Sequence, residues 1–110
     1  MATYSLESQQ TAITTATTTT ILDARAAAAD EARVKPGMIT IRNKGAANNT
    51  VTVIKDVSAT DYEKAEFTLG ADEEWVNPWD VICTGTGQSL EVVTSSTSAI
   101  DVDVNYLLKV

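Results

Sequence analysis

From residue 34 onward apolar and polar positions alternate with a period of two, the spacing of strands with one buried face. Met38-Ile39-Thr40-Ile41-Arg42 forms one such run and Thr50-Val51-Thr52-Val53-Ile54-Lys55 another. Between them, Asn43-Lys44-Gly45-Ala46-Ala47-Asn48-Asn49 carries turn chemistry, so the two runs are expected to pair as a hairpin. Shorter strands are expected at Glu66-Phe67-Thr68-Leu69, ended by Gly70-Ala71-Asp72, and at Glu74-Trp75-Val76, broken by Asn77-Pro78. Val81-Ile82-Cys83 and Ser89-Leu90-Glu91-Val92-Val93 flank a turn at Gly85-Thr86-Gly87. The last run is the most regular. Ile100, Val102, Val104, Tyr106 and Leu108 share one face, and Asp101, Asp103 and Asn105 open the other.

The first third of the chain is patterned differently. Of its 17 threonines, seven fall in residues 11–20, a stretch without Pro or Gly whose β-branched side chains suit extended backbone. It leads into Thr20-Ile21-Leu22-Asp23-Ala24-Arg25, which is expected to close an N-terminal strand. Ala26-Ala27-Ala28-Ala29-Asp30-Glu31-Ala32-Arg33 consists of good helix formers but is too short to be stable alone, so a turn or short helix is expected over 26–33. Seven or so short strands with no alternating helices indicate an all-β fold. The expected architecture is an antiparallel β-sandwich, jelly-roll or Ig-like, over residues 25–110, with an extended Thr-rich N-terminal arm or strand over 1–24.

Composition narrows the function. In 110 residues, eight Lys and Arg stand against 15 Asp and Glu, a net charge of −7, and there is no His. Such a chain is repelled by phosphate backbones, so nucleic acid is not an expected partner. Without His there is no imidazole for general acid–base work near neutral pH and no His metal ligand. The single Cys83 allows no internal disulfide and reads as a small buried hydrophobe. No apolar stretch approaches the roughly 20 residues that cross a bilayer, and the opening residues lack the pattern of a secretory signal, so synthesis in a reducing cytoplasm without membrane association is expected.

The remaining candidates for chemistry each have a plainer reading. Asp101 and Asp103 are neighbours on one strand face, but two carboxylates are too few for Ca²⁺ with its 6–8 oxygen ligands, and a solvated strand face is preferred. Asp72, Glu73, Glu74 and Asp80 bracket Trp75-Val76-Asn77-Pro78-Trp79, residue types that a sugar-binding cleft or glycosidase uses. Core and loop packing around Pro78 is the simpler account. Asp61-Tyr62-Glu63-Lys64-Ala65-Glu66 reads as a solvated connecting loop, and Gly85-Thr86-Gly87 as a turn too short to cradle phosphate. The hydroxyls have no base beside them. No enzyme, cofactor or metal is expected.

The ordered pattern does resemble a known class. Its elements are a Thr/Ala-rich N-terminal stretch, Gly37-Met38-Ile39-Thr40-Ile41-Arg42-Asn43-Lys44, Asn49-Thr50-Val51-Thr52-Val53, and Phe67-Thr68-Leu69-Gly70-Ala71-Asp72-Glu73. An acidic-aromatic turn follows, then Gly87-Gln88-Ser89-Leu90-Glu91-Val92-Val93, and a closing Val104-Asn105-Tyr106-Leu107-Leu108 completes it. Over roughly residues 35–110 this resembles the small β-sandwich virion proteins of tailed bacteriophages, particularly the capsid decoration (cement) type. The resemblance implies a non-enzymatic homotrimer on the capsid surface of the virion, bound where subunits of the major capsid protein meet. A head–tail adaptor, tail or fibre-base protein is the nearest alternative, and a carbohydrate-binding module using Trp75 and Trp79 the more distant one. The expected contact residues are Thr11, Ile13, Thr15, Thr17, Thr19 and Ile21, as a strand-adding arm, and Trp75 and Trp79 as interface anchors.

Overall fold

In the computed structural model, which describes residues 3–110, the chain folds into two antiparallel sheets. The elements are β1 (Tyr4–Ile13), β2 (Thr18–Leu22), β3 (Glu31–Val34), β4 (Ile39–Asn43), β5 (Asn49–Val57), β6 (Thr60–Leu69), β7 (Glu74–Val76), β8 (Val81–Thr84), β9 (Gln88–Thr94) and β10 (Ile100–Lys109). One sheet has the order β2-β9-β5-β6. In the other, β10 pairs along its whole length with β1 on one side. On its other side β4 pairs with residues 100–104 and β3 with 107–109, so these two short strands lie end to end. β7 continues the sheet beyond β4, and β8 beyond β3. With β3–β4 and β7–β8 each counted as one broken strand, the two sheets have the strand order of a jelly roll.

The core lies between the sheets and follows from the period of two. Ile39 and Ile41 of β4, Val51 and Val53 of β5, Leu90 and Val92 of β9, and Ile100 and Val104 of β10 are all fully buried. Each contributes about 1.5–3 kcal/mol relative to an exposed side chain. Cys83 joins this core from β8, and burial pushes its thiol above the usual range, against an opposing pull from Lys55 and Arg25.

Two expectations are revised and two are refined. Residues 38–42 and 50–55 do not form a hairpin, because β4 and β5 lie in different sheets and the connection crosses between them. Of the turn or short helix expected over 26–33, the turn is what forms, and the strand begins at Glu31. This turn leads into β3, where Ala32 and Val34 point inward and β10 and β8 supply the backbone partners. The charged stretch at 61–66 belongs to β6, paired with β5. The Thr-rich segment, expected as an arm or strand, takes the strand form and supplies β1 to one sheet and β2 to the other, since both find backbone partners within the chain; Met1 and Ala2 lie outside the described residues.

Three buried asparagines hold the places where strands break or cross. Asn43 donates to the carbonyls of Ala47 (2.8 Å) and Leu69 (2.9 Å) and accepts from the Gly45 N–H and the Ser98 hydroxyl. Asn49 donates to the carbonyls of Ser96 and Ser98 and accepts from the N–H groups of Ser95 and Ser96, fixing the β9–β10 connection. Asn77 does the same where β3 gives way to β4. There Lys35-Pro36-Gly37-Met38 forms a turn closed by Met38 N–H on the Lys35 carbonyl, with Gly37 at φ 86°. Proline second and glycine third is what a type II turn demands.

The β5–β6 turn is less well matched. Ser58 (φ 49°) and Ala59 (φ 68°) both occupy the left-handed region that glycine and asparagine adopt at little cost. Ala59→Gly is therefore expected to stabilise the fold by about 1 kcal/mol, read as a higher urea midpoint with unchanged m-value. Destabilisation would show that the gain in unfolded-chain entropy outweighs the relieved strain.

Candidate functional site

The two tryptophans converge at the edge where β6 of one sheet approaches β7 of the other. Trp75 points from β7 onto Phe67 of β6, with ring centroids 4.5 Å apart and planes 14° from parallel. Trp79, in the β7–β8 connection, stands tilted against Trp75 at 5.9 Å. The Lys64 ammonium lies 5.8 Å from the centre of the Trp79 ring. Lys64 is the extra residue of a bulge in β6, placed there by the register shift opposite Val53 and Ile54. Phe67, Trp75 and Trp79 are all half-buried. The cluster thus closes one side of the sandwich, with a face of Trp75 taken by Phe67 and the Trp79 ring approached by Lys64. Stacking on a pyranose would have to displace these contacts.

The threonine segment divides differently. Ile13 (2% exposed) and Ile21 (0%) are core residues, so neither offers its side chain to a partner. Thr11 and Thr19 are half-buried. Thr15 and Thr17 lie in the β1–β2 connection, their hydroxyls 2.9 Å apart, and the Thr15 carbonyl accepts from the Thr94 hydroxyl. What the segment leaves open is the backbone edge of β1, whose first half, Tyr4 to Ser8, is exposed on both faces.

The outer face of the β10 sheet is polar and internally paired. Asp101 meets Lys44 at 3.2 Å, and Asp103 accepts from the Gln10 amide at 2.9 Å. Gln10, Asp101 and Asp103, together with Thr40, Arg42 and Glu74, line a shallow open depression of about 480 Å³. At its other end this face carries a row across four strands, Leu6, Leu107, Arg33 and Ile82, in which Leu6 is 67% exposed.

A carboxylate cluster that sequence reading did not find sits on the outer face of the other sheet. Asp56 and Asp61 oppose each other across β5 and β6, and Glu91 of β9 brings its carboxylate within 4.8 Å of both. Partial burial, and then repulsion from Asp56 and Asp61, raises the Glu91 carboxyl above its ordinary value of 4.5. Its folded form therefore holds a proton more tightly than its unfolded form. The associated stability is full below pH 4.5 and is lost as pH rises through the raised value. Glu91→Gln is expected to raise the urea midpoint at pH 7 and to leave it unchanged at pH 4. Equal midpoints at both pH values would show that the three carboxylates do not repel appreciably in solution.

No protein-family profile and no curated protein matches this sequence. Solved structures do match in fold. A chain of the T13 IBDV viral particle superposes with a TM-score of 0.56 at 12% identity, over 96% of this chain and 30% of that one. A chain from the structure of Bacillus endospore appendages, a family of disulfide-linked pili, superposes at 0.57 and 8% identity, over 98% and 86%. PirA superposes at 0.53 and 11% identity, over 90% and 92%. The chain thus spans under a third of the viral chain and most of the other two. At these identities what is shared is the fold, an antiparallel β-sandwich.

Proposed function

We propose that the protein is a structural subunit of a virion. In this reading it is a capsid decoration protein, bound as a homotrimer to the outer surface of the head between subunits of the major capsid protein. The observation that carries the reading is the jelly-roll strand order. The same sandwich spans nearly the whole of this chain in a viral-particle protein and in an appendage subunit, both of which work by assembling. The surface suits such a role. Outer-face charges are paired or solvated, and the net charge of −7 keeps free subunits soluble and away from packaged nucleic acid.

The test is cosedimentation of the purified protein with heads prepared without it, followed by heating of the decorated heads. Saturable binding and a higher temperature of DNA release are expected, with a native mass in multiples of three chains. Failure to bind heads would overturn the reading. A closed ring of six or twelve copies that binds tails instead would replace it with an adaptor or tail component.

A further inference from the structure

We infer that the outer edge of β1 is a pairing site for β1 of a second copy of this chain, joined antiparallel about a two-fold axis at Ser8. The sandwich has four edges, and three are protected against strand addition. β2 is a five-residue strand with an irregular register between Thr20 and Leu22. β6 carries Asp61, Glu63, Lys64 and Glu66 and is bulged at Lys64. The fourth line, β7 and β8, is three and four residues long and is interrupted at Pro78. Short strands, charges, bulges and proline are the means by which edges are kept from pairing. Of these β1 has only a single charge. It pairs with β10 over ten consecutive residues without a shift, contains no Pro or Gly, and carries Glu7 as its one charge.

The hydrogen-bond phase shows which groups this edge offers. Thr3 and Val110 exchange both backbone bonds, at 3.4 and 3.1 Å, so the odd-numbered residues of β1 point their N–H and C=O groups at β10. The Asn105 N–H confirms the phase, turning away from β1 to the Met38 carbonyl at 2.8 Å. Tyr4, Leu6, Ser8, Gln10 and Ala12 therefore direct their backbone groups outward. A second copy running antiparallel can satisfy them only where even residues face even residues. Centring on Glu7 would place two carboxylates side by side, which opposes pairing. Centring on Leu6 satisfies only the rows from Tyr4 to Ser8. Centring on Ser8 pairs every row from Tyr4 to Ala12, sets Glu7 beside Gln9 of the second copy, and covers the exposed Tyr4 with Ala12. Centring on Gln9 satisfies only the rows from Leu6 to Ala12, so the register on Ser8 is the one that pairs the whole edge.

This contact stands independently of the virion reading. In a free protein it makes a dimer, and in a trimeric one each chain offers its edge to a chain of another trimer. Because each copy carries a net charge of −7, added salt is expected to strengthen it by screening repulsion between the two bodies.

The register can be read by cross-linking. The native Cys83 is fully buried and stays silent. Ser8→Cys places two thiols opposite each other at the axis, at a Cα separation a disulfide can span. Under mild oxidation it is expected to convert largely to covalent dimer. Leu6→Cys alone should not, whereas Leu6→Cys mixed with Gln10→Cys should form the mixed dimer. Thr97→Cys, on an exposed loop, sets the collision background. Ser8→Pro removes an outward N–H without touching the β10 ladder, and should halve the native mass while circular dichroism stays unchanged. Linking of Ser8→Cys no faster than Thr97→Cys, or faster linking of Leu6→Cys, overturns the proposal. The mass also separates the two readings: a factor of two lost with Ser8→Pro reports the edge, and a residual multiple of three reports the trimer.

Discussion

Asn77→Ala is expected to lower the unfolding free energy by about 3 kcal/mol, read as a fall in urea midpoint at constant m-value. Asn77 is 1% exposed, and its side-chain amide serves three backbone groups at once. It accepts from the Ile39 N–H at 2.7 Å and donates to the carbonyls of Trp79 (2.7 Å) and Lys35 (3.0 Å). Its own backbone also reaches the Gly37 N–H and the Ile39 carbonyl. The side chain therefore bridges the point where β3 stops and β4 begins and the point where β7 stops and β8 begins. Truncation leaves the buried Ile39 N–H without its partner, and each buried group so abandoned costs about 1–3 kcal/mol. Lys35 is exposed, so its carbonyl recovers water and the total stays below the sum of three such costs. Against a typical domain stability of about 5–15 kcal/mol this is a large fraction. Asn77→Asp separates the two halves of the amide. The carboxylate can still accept from Ile39 but faces two carbonyls without a proton to offer, so this variant should be as unstable as Asn77→Ala at pH 7. It should recover partly when acid protonates it. A loss below about 1 kcal/mol for Asn77→Ala would mean that the backbone pairing alone holds both breaks.

The role of Asn77 also shows where sequence reading stops. Strand positions after residue 34 were legible because a half-buried strand must alternate, and Ile39, Ile41, Val51, Val53, Val102 and Val104 do so. Sheet membership was not legible. A turn-rich segment between two alternating runs has the same local chemistry whether it reverses the chain or carries it across the core, and here Asn43 and Asn49 fasten a crossing through partners as distant as Leu69 and Ser98. β3 was hidden for a related reason. Glu31, Ala32 and Arg33 favour helix locally, and pairing with β10 and β8 overrides that preference. The candidate surfaces divide in the same way. Packing of Trp75 and Trp79 could be anticipated from the Pro78 bend between them, but their partners Phe67 and Lys64 lie on another sheet. The Asp56, Asp61 and Glu91 cluster needs three strands to be aligned before its carboxylates meet. The free edge of β1 could not be read locally at all. It exists because β10 satisfies one side of the strand and no strand among the described residues satisfies the other.

Trp75→Ala is expected to cost about 2–3 kcal/mol, and this value decides whether the aromatic cluster is chiefly structural. Removing a fully buried Trp or Phe side chain costs about 3–5 kcal/mol. Trp75 is half-buried, which reduces that figure, but its stack on Phe67 adds about 0.5–1.5 kcal/mol beyond area alone. Trp75→Phe keeps an aromatic ring against Phe67 and should lose about half as much. Trp79→Ala gives up only a tilted contact and the approach of Lys64 over an exposed edge, so about 1 kcal/mol is expected. The measurement is urea unfolding followed by circular dichroism, which does not depend on the fluorescence of the residues removed. A sugar-binding platform predicts the opposite ordering of effects, because its aromatic faces must stay free for the ligand. In that case Trp75→Ala and Trp79→Ala would leave the urea midpoint almost unchanged and abolish quenching by added oligosaccharide. With Phe67 already stacked on Trp75, the larger loss is placed in stability. The β6–β7 edge is then a seam that keeps the two sheets closed, and the open edge of β1 on the opposite side of the sandwich is the one left to meet a neighbour.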